Sequence, residues 1–326
     1  MPTALADRAL GPMVHGEPQR LTVLLRTSAA VYLGTADGDP RLVLVDDGGI
    51  AVPDCAMLPA GLRWRDLLTA QDRTGAPILV GAGEVRCGPR AVPVRADLDL
   101  TVPTIQPAAA EQGLVHLRTA LATAIRRRTA WPVVHHHWST GSAGPQALAT
   151  DARYLIGRGP GVTPTGDDIL AGAILAHVAL GTPGIEAAAT GIVDLARGRT
   201  TAASIVSLRG AAGARAATPL RDLLRAIGEQ GDPTASLGRV LRLGHTSGAD
   251  LLRGLHDGFA AAVPAAPAAP AAPADLTASA DLTASAAPSA RAAPTAHVRQ
   301  SHPPRASVPP APIPARPRAA AERKVS

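Results

Sequence analysis

The most constrained stretch of the sequence is Gly157-Arg158-Gly159-Pro160-Gly161-Val162-Thr163-Pro164-Thr165-Gly166-Asp167-Asp168. It places four glycines, two prolines, two threonines and two adjacent acids in twelve positions, and it leads into the apolar segment 169–180. Glycine and proline at this density indicate a chain that bends sharply and approaches another group closely. Because the apolar segment predicts a helix, we expect the loop to deliver Thr165, Asp167 and Asp168 to a helix N-terminus.

Upstream of this loop, the first hundred residues have strand character. Short β-branched or alternating runs occupy 21–25, 30–33, 41–45, 78–80 and 92–100. Asp-Gly turn signals lie at 37–40 and 46–49, and one short helix is predicted near 62–69. Short strands at this spacing predict a small antiparallel β domain, either a sheet or a barrel.

Downstream, the pattern becomes helical. Helices are predicted over 108–128, 144–155, 167–180, 185–196, 202–216, 219–229, 234–241 and 247–261. Frequent alanine and glycine in these segments predict close helix packing. The expected fold is therefore α+β: a flexible N-terminus (1–19), a small antiparallel β-rich domain (20–105), a mainly helical domain (106–263) and a Pro/Ala-rich disordered tail (264–326).

Composition narrows the class of protein. The formal net charge is +6, but residues 262–326 hold seven Arg and Lys against three Asp and Glu, so the body is nearly neutral. A nucleic-acid partner is not expected, because such proteins carry a basic patch on the folded part. No apolar run approaches the length of a membrane span, and the two cysteines, Cys55 and Cys87, form no CxxC pair. We expect a cytoplasmic protein with buried, reduced thiols and no membrane partner.

The loop at 157–168 has two interpretations. Thr165 and Asp168 have the spacing of a capping box, which would make them structural. Capping does not explain the glycines or the second acid, Asp167, whereas a glycine-rich loop before a helix is a ready anion site. Two carboxylates would repel a bare phosphate unless Mg²⁺ bridges Asp167 and Asp168 to it, or unless the acids bind an amide or ammonium group instead.

Two other loops precede predicted helices in the same way. The segment 244–250 reads Gly-His-Thr-Ser-Gly-Ala-Asp. In it His245 is a candidate general acid or base, and Ser247 with Asp250 again has capping-box spacing. The segment 199–204 reads Arg-Thr-Thr-Ala-Ala-Ser, and Arg199 is a candidate fork for a carboxylate or phosphate. We expect the three loops to converge on one pocket. A weaker candidate is a metal site at His135, His136 and His137, although adjacent histidines lack the usual ligand spacing.

The pattern GxGPGxTPxGDD followed by an apolar helix, with GHTSGADLL near the end, resembles a bacterial family long catalogued as a domain of unknown function. That family includes AllH, a subunit of oxamate carbamoyltransferase in allantoin degradation, a part of purine catabolism. The resemblance spans most of residues 20–260, is strongest at 157–172 and 244–254, and excludes the tail beyond 263.

The resemblance implies carbamoyl transfer, in which oxalurate and phosphate interconvert with oxamate and carbamoyl phosphate, and it implies several different subunits. On the residues and the resemblance together, Asp167, Asp168 and His245 are the candidate catalytic residues, with Asp167 and Asp168 also the candidate Mg²⁺ ligands. The candidate substrate-binding residues are Gly159, Gly161, Thr163, Thr165, Gly166, Arg199, Thr200, Ser204, Thr246, Ser247 and Asp250. The alternative is a non-catalytic subunit that binds a small anion or acts as a scaffold in a metabolic complex.

Overall fold

The computed structural model describes residues 2–126 and 144–263. Within them, the amino-terminal part is a closed barrel with the strand order β1-β5-β4-β3-β2-β6-β7-β8. The strands are β1 (Ala4–Asp7), β2 (Gln19–Arg26), β3 (Ala30–Gly34), β4 (Pro40–Val45), β5 (Cys55–Met57), β6 (Ile78–Gly81), β7 (Glu84–Cys87) and β8 (Arg90–Leu98). The short helix α1 (Gly11–His15) follows β1, and α2 (Trp64–Thr74) lies between β5 and β6.

This barrel corrects the predicted small antiparallel β domain. Two of its pairings are parallel, β1 with β8 and β4 with β5, so the sheet is mixed. β1 pairs with both β5 and β8 and thereby closes the barrel. The barrel thus reaches into residues 1–19, where the sequence predicts a flexible N-terminus. The parallel pairing of β4 with β5 arises because their connection returns to the starting side of the sheet instead of forming a hairpin.

Strand β4 shows how the barrel joins the helices. Successive side chains of a strand point to opposite faces. Leu42 and Leu44 lie in the barrel core, which also buries Trp64 of α2. Val43 and Val45 belong to a separate cluster that includes Val206 of the helical region. Because both faces of β4 are covered, the strand reads as a continuous apolar run.

The rest of the described chain is helical. The helices are α3 (Pro107–Arg126), α4 (Pro145–Leu155), α5 (Thr165–Ala179), α6 (Ile185–Ala196), α7 (Ala202–Ala212), α8 (Thr218–Gly228), α9 (Thr234–Val240) and α10 (Ser247–Ala262). None of the described helices is long and apolar enough to cross a membrane. Both cysteines are free and buried, as the sequence predicts. The tail 264–326 lies outside the described residues.

Helices α5 and α10 pack with their backbones in contact. Nearly every residue of α5 is buried, which places this helix at the centre of the helical core. A Cβ at Gly172 would lie 2.1 Å from the carbonyl oxygen of Leu251, and one at Gly254 would lie 1.9 Å from that of Ile169. The predicted close packing of glycine-containing helices is therefore confirmed. It fixes the starts of α5 and α10, where the two motifs lie, relative to each other.

Charged residues join the barrel to the helices beside α7. The buried Asp54 accepts hydrogen bonds from Nε and Nη2 of Arg209, at 3.1 and 2.7 Å. It also accepts from Nη1 of Arg215, at 2.8 Å, and the same Nη1 donates to the buried Asp7. Buried carboxylates are tolerated when they are paired in this way. The loop that precedes β5 is therefore fixed against the residues that follow α7.

Candidate functional site

The glycine-rich loop, residues 157–164, folds tightly against the first turn of α5. Gly159 has a φ of +113°, and a Cβ there would lie 2.8 Å from the backbone nitrogen of Thr165. A Cβ at Gly166 would lie 2.0 Å from the carbonyl oxygen of Leu155. Both positions require glycine, because a side chain would collide with neighbouring backbone. The loop bends sharply, as the sequence predicts. At Gly159 and Gly166 the group that it approaches closely is neighbouring backbone of the same chain.

Asp167 fastens this loop to the start of α7. Its side chain is buried. One carboxylate oxygen accepts a hydrogen bond of 2.8 Å from the backbone nitrogen of Gly157, and the other accepts from the hydroxyl of Thr200. Both oxygens of Asp167 are thus engaged within the protein.

The backbone N–H groups at the start of α5 are also engaged. The nitrogen of Gly166 donates to the carbonyl oxygen of Arg158 at 2.8 Å. Those of Asp167 and Asp168 donate to the carbonyl oxygen of Pro164, at 3.0 and 3.2 Å. A phosphate at a helix N-terminus is held by free N–H groups. These three groups already have partners, so they are not available to one.

Side-chain capping, the alternative interpretation of the motifs, is wrong for both. The residue before α5 is Pro164, and it makes no side-chain cap. Thr246 precedes α10 and also makes no side-chain cap. Instead, the hydroxyl of Thr165 donates to a carboxylate oxygen of Asp250 at 3.2 Å, which links the start of α5 to the first turn of α10.

A second hydrogen bond joins the same two motifs. The hydroxyl oxygens of Thr163 and Ser247 lie 2.7 Å apart. The loops that precede α5 and α10 are therefore in direct contact, and the convergence predicted for these two loops is confirmed.

The third loop, 199–204, also contacts the glycine-rich loop, through the hydroxyl of Thr201. Thr201 caps α7 by accepting a hydrogen bond of 3.1 Å from the nitrogen of Ser204. Its hydroxyl lies 2.6 Å from the carbonyl oxygen of Val162, to which it donates. Ser204 itself is buried. Thr201 therefore has two structural roles: it caps α7, and it holds the glycine-rich loop in place.

Asp168 differs from its neighbours. Its side chain is buried, and its Oδ2 has no hydrogen-bond partner. Burial raises the pKa of this carboxyl well above 3.8; the nearby charges of Asp250 and Asp167 add to the rise, and the hydroxyls of Ser247 and Thr163 oppose it. Asp168 therefore keeps its proton to higher pH than an exposed aspartate does, and the neutral form has an O–H group to donate.

Asp168 lines a cavity of about 210 Å³ between the barrel and the helices. Thr163 and Ser247 line it as well, so the two motifs share this space. The walls are mostly apolar, and the barrel contributes Tyr32 and Val52. Burial, together with the neighbouring Cys55, raises the pKa of Tyr32 to about 12, so this phenol stays neutral. The cavity has the mixed character of a small-molecule site, with apolar walls and few polar groups.

The other candidate residues do not line the cavity. Arg199 is exposed, and its Nη2 donates to the carbonyl oxygen of Arg153 at 3.0 Å. His245 is exposed as well. The remaining candidates away from the cavity lining are Gly159, Gly161, Thr165, Gly166, Asp167, Thr200, Ser204, Thr246 and Asp250.

The geometry does not fit Mg²⁺ bound by Asp167 and Asp168. Both carboxylate oxygens of Asp167 already accept hydrogen bonds, from Gly157 and Thr200, so only Asp168 of the pair has an oxygen without a partner. Across residues 2–126 and 144–263, no group of three or more His, Cys, Asp and Glu side chains is placed to hold a metal ion. The candidate site at His135, His136 and His137 lies outside the described residues.

Of the residues that line the cavity, the sequence predicts only Thr163, Asp168 and Ser247; those it does not predict include Tyr32, Val52, Pro53 and Arg215. Arg215 lies in the segment 211–217, where no glycine-rich loop or apolar helix start marks it. No sequence pattern marks Arg215, because its pairing with the buried Asp7 and Asp54 is visible only once the fold is known.

Comparison with known proteins finds a similarity in the helical region. No solved structure matches the chain. One family model matches residues 155–259, about a third of the chain, and the match contains both motifs as well as Asp168 and Arg215. It is narrower than the predicted resemblance over 20–260 and does not include the barrel. The resemblance is confirmed over residues 155–259, which match the family described as oxamate carbamoyltransferase subunit AllH.

Proposed function

We propose that this protein is a subunit of a carbamoyltransferase-type enzyme, and that the cavity beside Asp168 holds a small carbamoyl- or carboxylate-bearing metabolite such as oxamate or oxalurate. The observation that carries the proposal is the unpartnered Oδ2 of a buried carboxyl in this cavity, at the junction of the two motifs within the matched segment. A buried polar atom without a partner calls for an explanation, and a bound ligand supplies one.

The protonated form of Asp168, which the raised pKa favours, suits this role. Its O–H group can donate to a carbonyl or carboxylate oxygen of the ligand without adding negative charge. The apolar walls of the cavity both raise the pKa of Asp168 and exclude water, which strengthens such a hydrogen bond. If the carbonyl oxygen gains charge during carbamoyl transfer, this donor stabilises it.

The cavity would hold the carbamoyl- or carboxylate-bearing substrate, which is one of the two partners in carbamoyl transfer. Three N–H groups at the start of α5 already donate to carbonyl oxygens, so these three do not bind the phosphate of carbamoyl phosphate. The family description, a subunit, supports donors on other chains. We place this assembly in the cytoplasm, in keeping with the two buried free cysteines.

Ligand binding by the purified full chain tests the proposal. The melting temperature is measured with oxamate, oxalurate, carbamoyl phosphate and inorganic phosphate. A ligand at about 100 times its Kd stabilises the native state by about 2.7 kcal/mol. We expect oxamate or oxalurate to stabilise the wild type and to lose this effect in Asp168→Leu. The control is Thr200→Val, which perturbs the same loop through Asp167 but does not touch the cavity. Stabilisation by neither oxamate nor oxalurate contradicts the proposal.

One observation favours the alternative, a binding or scaffold subunit without catalytic groups of its own. Asp167, Thr165 and Thr200 are all engaged in internal hydrogen bonds. Turnover by the assembled complex separates the two functions. If Asp168 transfers a proton, Asp168→Asn loses kcat and keeps ligand affinity, because Asn donates a hydrogen bond but is no acid. If Asp168 only binds the ligand, kcat is retained.

A further inference from the structure

Arg215 is the cationic side chain that lines the cavity among the described residues. It lies between α7 and α8, where Thr101 pairs with it in an isolated antiparallel bridge. Only 15% of its side chain is exposed. Burial alone would lower the pKa of Arg215, but the ion pairs with Asp54 and Asp7 raise it overall, so the guanidinium is charged. The cavity therefore contains a fixed positive charge at its boundary with the barrel.

The ion pairs of Arg215 use one end of its guanidinium. Both Asp7 and Asp54 are bonded to Nη1. Within the described part of the chain, neither Nε nor Nη2 of Arg215 has a hydrogen-bond partner. These two nitrogens form the edge of arginine that binds a carboxylate through two parallel hydrogen bonds.

Arg209 provides an internal comparison. It lies on α7 and is bonded to the same Asp54, but through Nε and Nη2, so its carboxylate-binding edge is occupied. Its Nη2 also donates to the carbonyl oxygen of Pro40, and Arg209 does not line the cavity. Two arginines thus share one aspartate across the same interface, and only Arg215 combines a free edge with a place at the cavity.

We propose that Arg215 is the specificity-determining residue of this cavity: Asp7 and Asp54 of the barrel hold it in place, and its free edge binds the carboxylate of a small monoanionic ligand. Asp168 then donates to a second oxygen of the same ligand. This inference rests on the proposed function, whose cavity it uses.

The surroundings favour a monoanion. Asp7 and Asp54 already balance much of the charge of Arg215, so a dianionic phosphate in the cavity would be poorly compensated. The apolar walls also penalise excess charge. A small carboxylate that carries a carbonyl or amide group satisfies both Arg215 and Asp168 and leaves its remaining surface for the apolar walls.

The barrel therefore belongs to the binding site although the family match excludes it. Tyr32, Val52 and Pro53 form one wall, and Asp7 and Asp54 position Arg215. These residues lie outside 155–259. Exchange of barrel residues would then change which carboxylate fits while the two motifs stay the same.

The test compares two matched variants of the full chain. Calorimetry measures the Kd of oxamate and of oxamide, in which an amide replaces the carboxylate. We expect the wild type to prefer oxamate by about tenfold or more, as for a charge-assisted hydrogen bond. Arg215→Gln should lose this preference. Arg209→Gln removes an ion pair with the same aspartate but leaves the contacts of Arg215 with Asp7 and Asp54, so it should weaken oxamate binding much less than Arg215→Gln does.

Arg215→Lys covers the case in which Arg215→Gln does not fold, because it keeps the charge opposite Asp7 and Asp54. Lysine lacks the planar fork, so the preference for oxamate should still fall by about tenfold. An unchanged preference in Arg215→Lys, or equal losses in the Arg215 and Arg209 variants, overturns the inference.

Pyruvate, a small carboxylate without a carbamoyl group, separates this inference from the proposed function. Binding of pyruvate that depends on Arg215, without binding of oxamate or oxalurate, supports the inference and contradicts the carbamoyl function. Binding of oxamate that is independent of Arg215 overturns the inference alone. Binding of none of these carboxylates overturns it as well.

Discussion

The glycine-rich loop and the cavity beside it meet at two adjacent residues, Asp167 and Asp168, and use their polar groups in opposite ways. In the loop, Asp167 accepts hydrogen bonds from Gly157 and Thr200, and neighbouring N–H groups donate to carbonyl oxygens. In the cavity, Asp168 has an oxygen without a partner. The polar groups around Asp167 are thus paired within the protein, whereas Asp168 has hydrogen-bonding capacity left for a ligand.

This difference shows that a motif rich in glycine and acids can be architectural over most of its length and still position a site. The loop, together with the glycine contacts of α5 and α10, holds the helix starts in place. The residues that contact a ligand are then those that this framework leaves unsatisfied. Three substitutions test this difference between the loop and the cavity, and they are given in order of decreasing effect on stability.

The largest effect on stability is expected from Gly166→Ala, in the first turn of α5 against which the loop packs. Its Cβ would lie 2.0 Å from the carbonyl oxygen of Leu155, so backbone must move. We expect a loss of about 3 kcal/mol or more in the free energy of unfolding, measured by urea denaturation. The control is Gly191→Ala in α6, where a Cβ meets no atom within 4 Å and the change should stabilise by about 0.5–1 kcal/mol. Equal stabilities of the two variants would show that the loop is not closely packed.

A smaller loss is expected from Asp167→Asn. The amide retains one acceptor oxygen for the two donors, Gly157 and Thr200, and it removes the charge from both hydrogen bonds. We expect a loss of about 2 kcal/mol in the free energy of unfolding. Ligand affinity should change little as long as the protein is folded, because Asp167 does not line the cavity. If Asp167→Asn had wild-type stability but no longer bound ligand, Asp167 would belong to the ligand site, and the distinction between Asp167 and Asp168 would be wrong.

The smallest effect on the free energy of unfolding at acidic pH is expected from Asp168→Asn, because the Asn side chain resembles the protonated carboxyl group. The pKa of Asp168 is raised above 3.8 in the native protein, mainly by burial, so the unfolded chain loses this proton first. The stabilisation is complete below pH 3.8 and is lost as the pH rises through the raised pKa. Asp168→Asn should therefore gain stability relative to the wild type as the pH increases.

The measurement is urea denaturation of both proteins across this range. The other ionisable side chains near Asp168 are Asp250 and Asp167, with Arg215 and Tyr32 lining the same cavity. All four are present in both proteins, so their contributions cancel to first order. Parallel stability profiles of the two proteins would show that Asp168 is ionised in the native state.

Local patterns predict much of the helical region. Helix 185–196 is predicted at its observed bounds, because glycines flank an apolar periodic segment. The prediction for 202–216 extends too far: α7 ends at Ala212, and Ala214 has a positive φ that alanine alone does not signal. Helix starts and stops are visible in a sequence when glycine or proline marks them.

The barrel is harder to predict. Strands β1, β5 and β7 have only three or four residues each, too few to show an alternating pattern. Their pairings are set by closure of the barrel, which is a property of the whole sheet. The expectation of hairpins alone therefore misses both parallel pairings.

The candidate site could be predicted only where its residues lie in local sequence motifs. Thr163, Asp168 and Ser247 lie in recognisable motifs and do line the cavity. The sequence cannot show that Asp167 is already paired, since its partner Thr200 comes from another loop. Nor can it show Arg215, whose position depends on aspartates more than 150 residues away.

The position of β1 has a consequence for how the chain must be handled. This strand has only four residues, yet it covers the edges of both β5 and β8. A chain trimmed before residue 8 would expose two strand edges, and uncovered edges recruit strands from other molecules. Trimming would also remove Asp7. Self-association of such a fragment would then accompany the loss of one of the carboxylates that hold Arg215, so a truncation meant to simplify the protein would both promote aggregation and disturb the cavity.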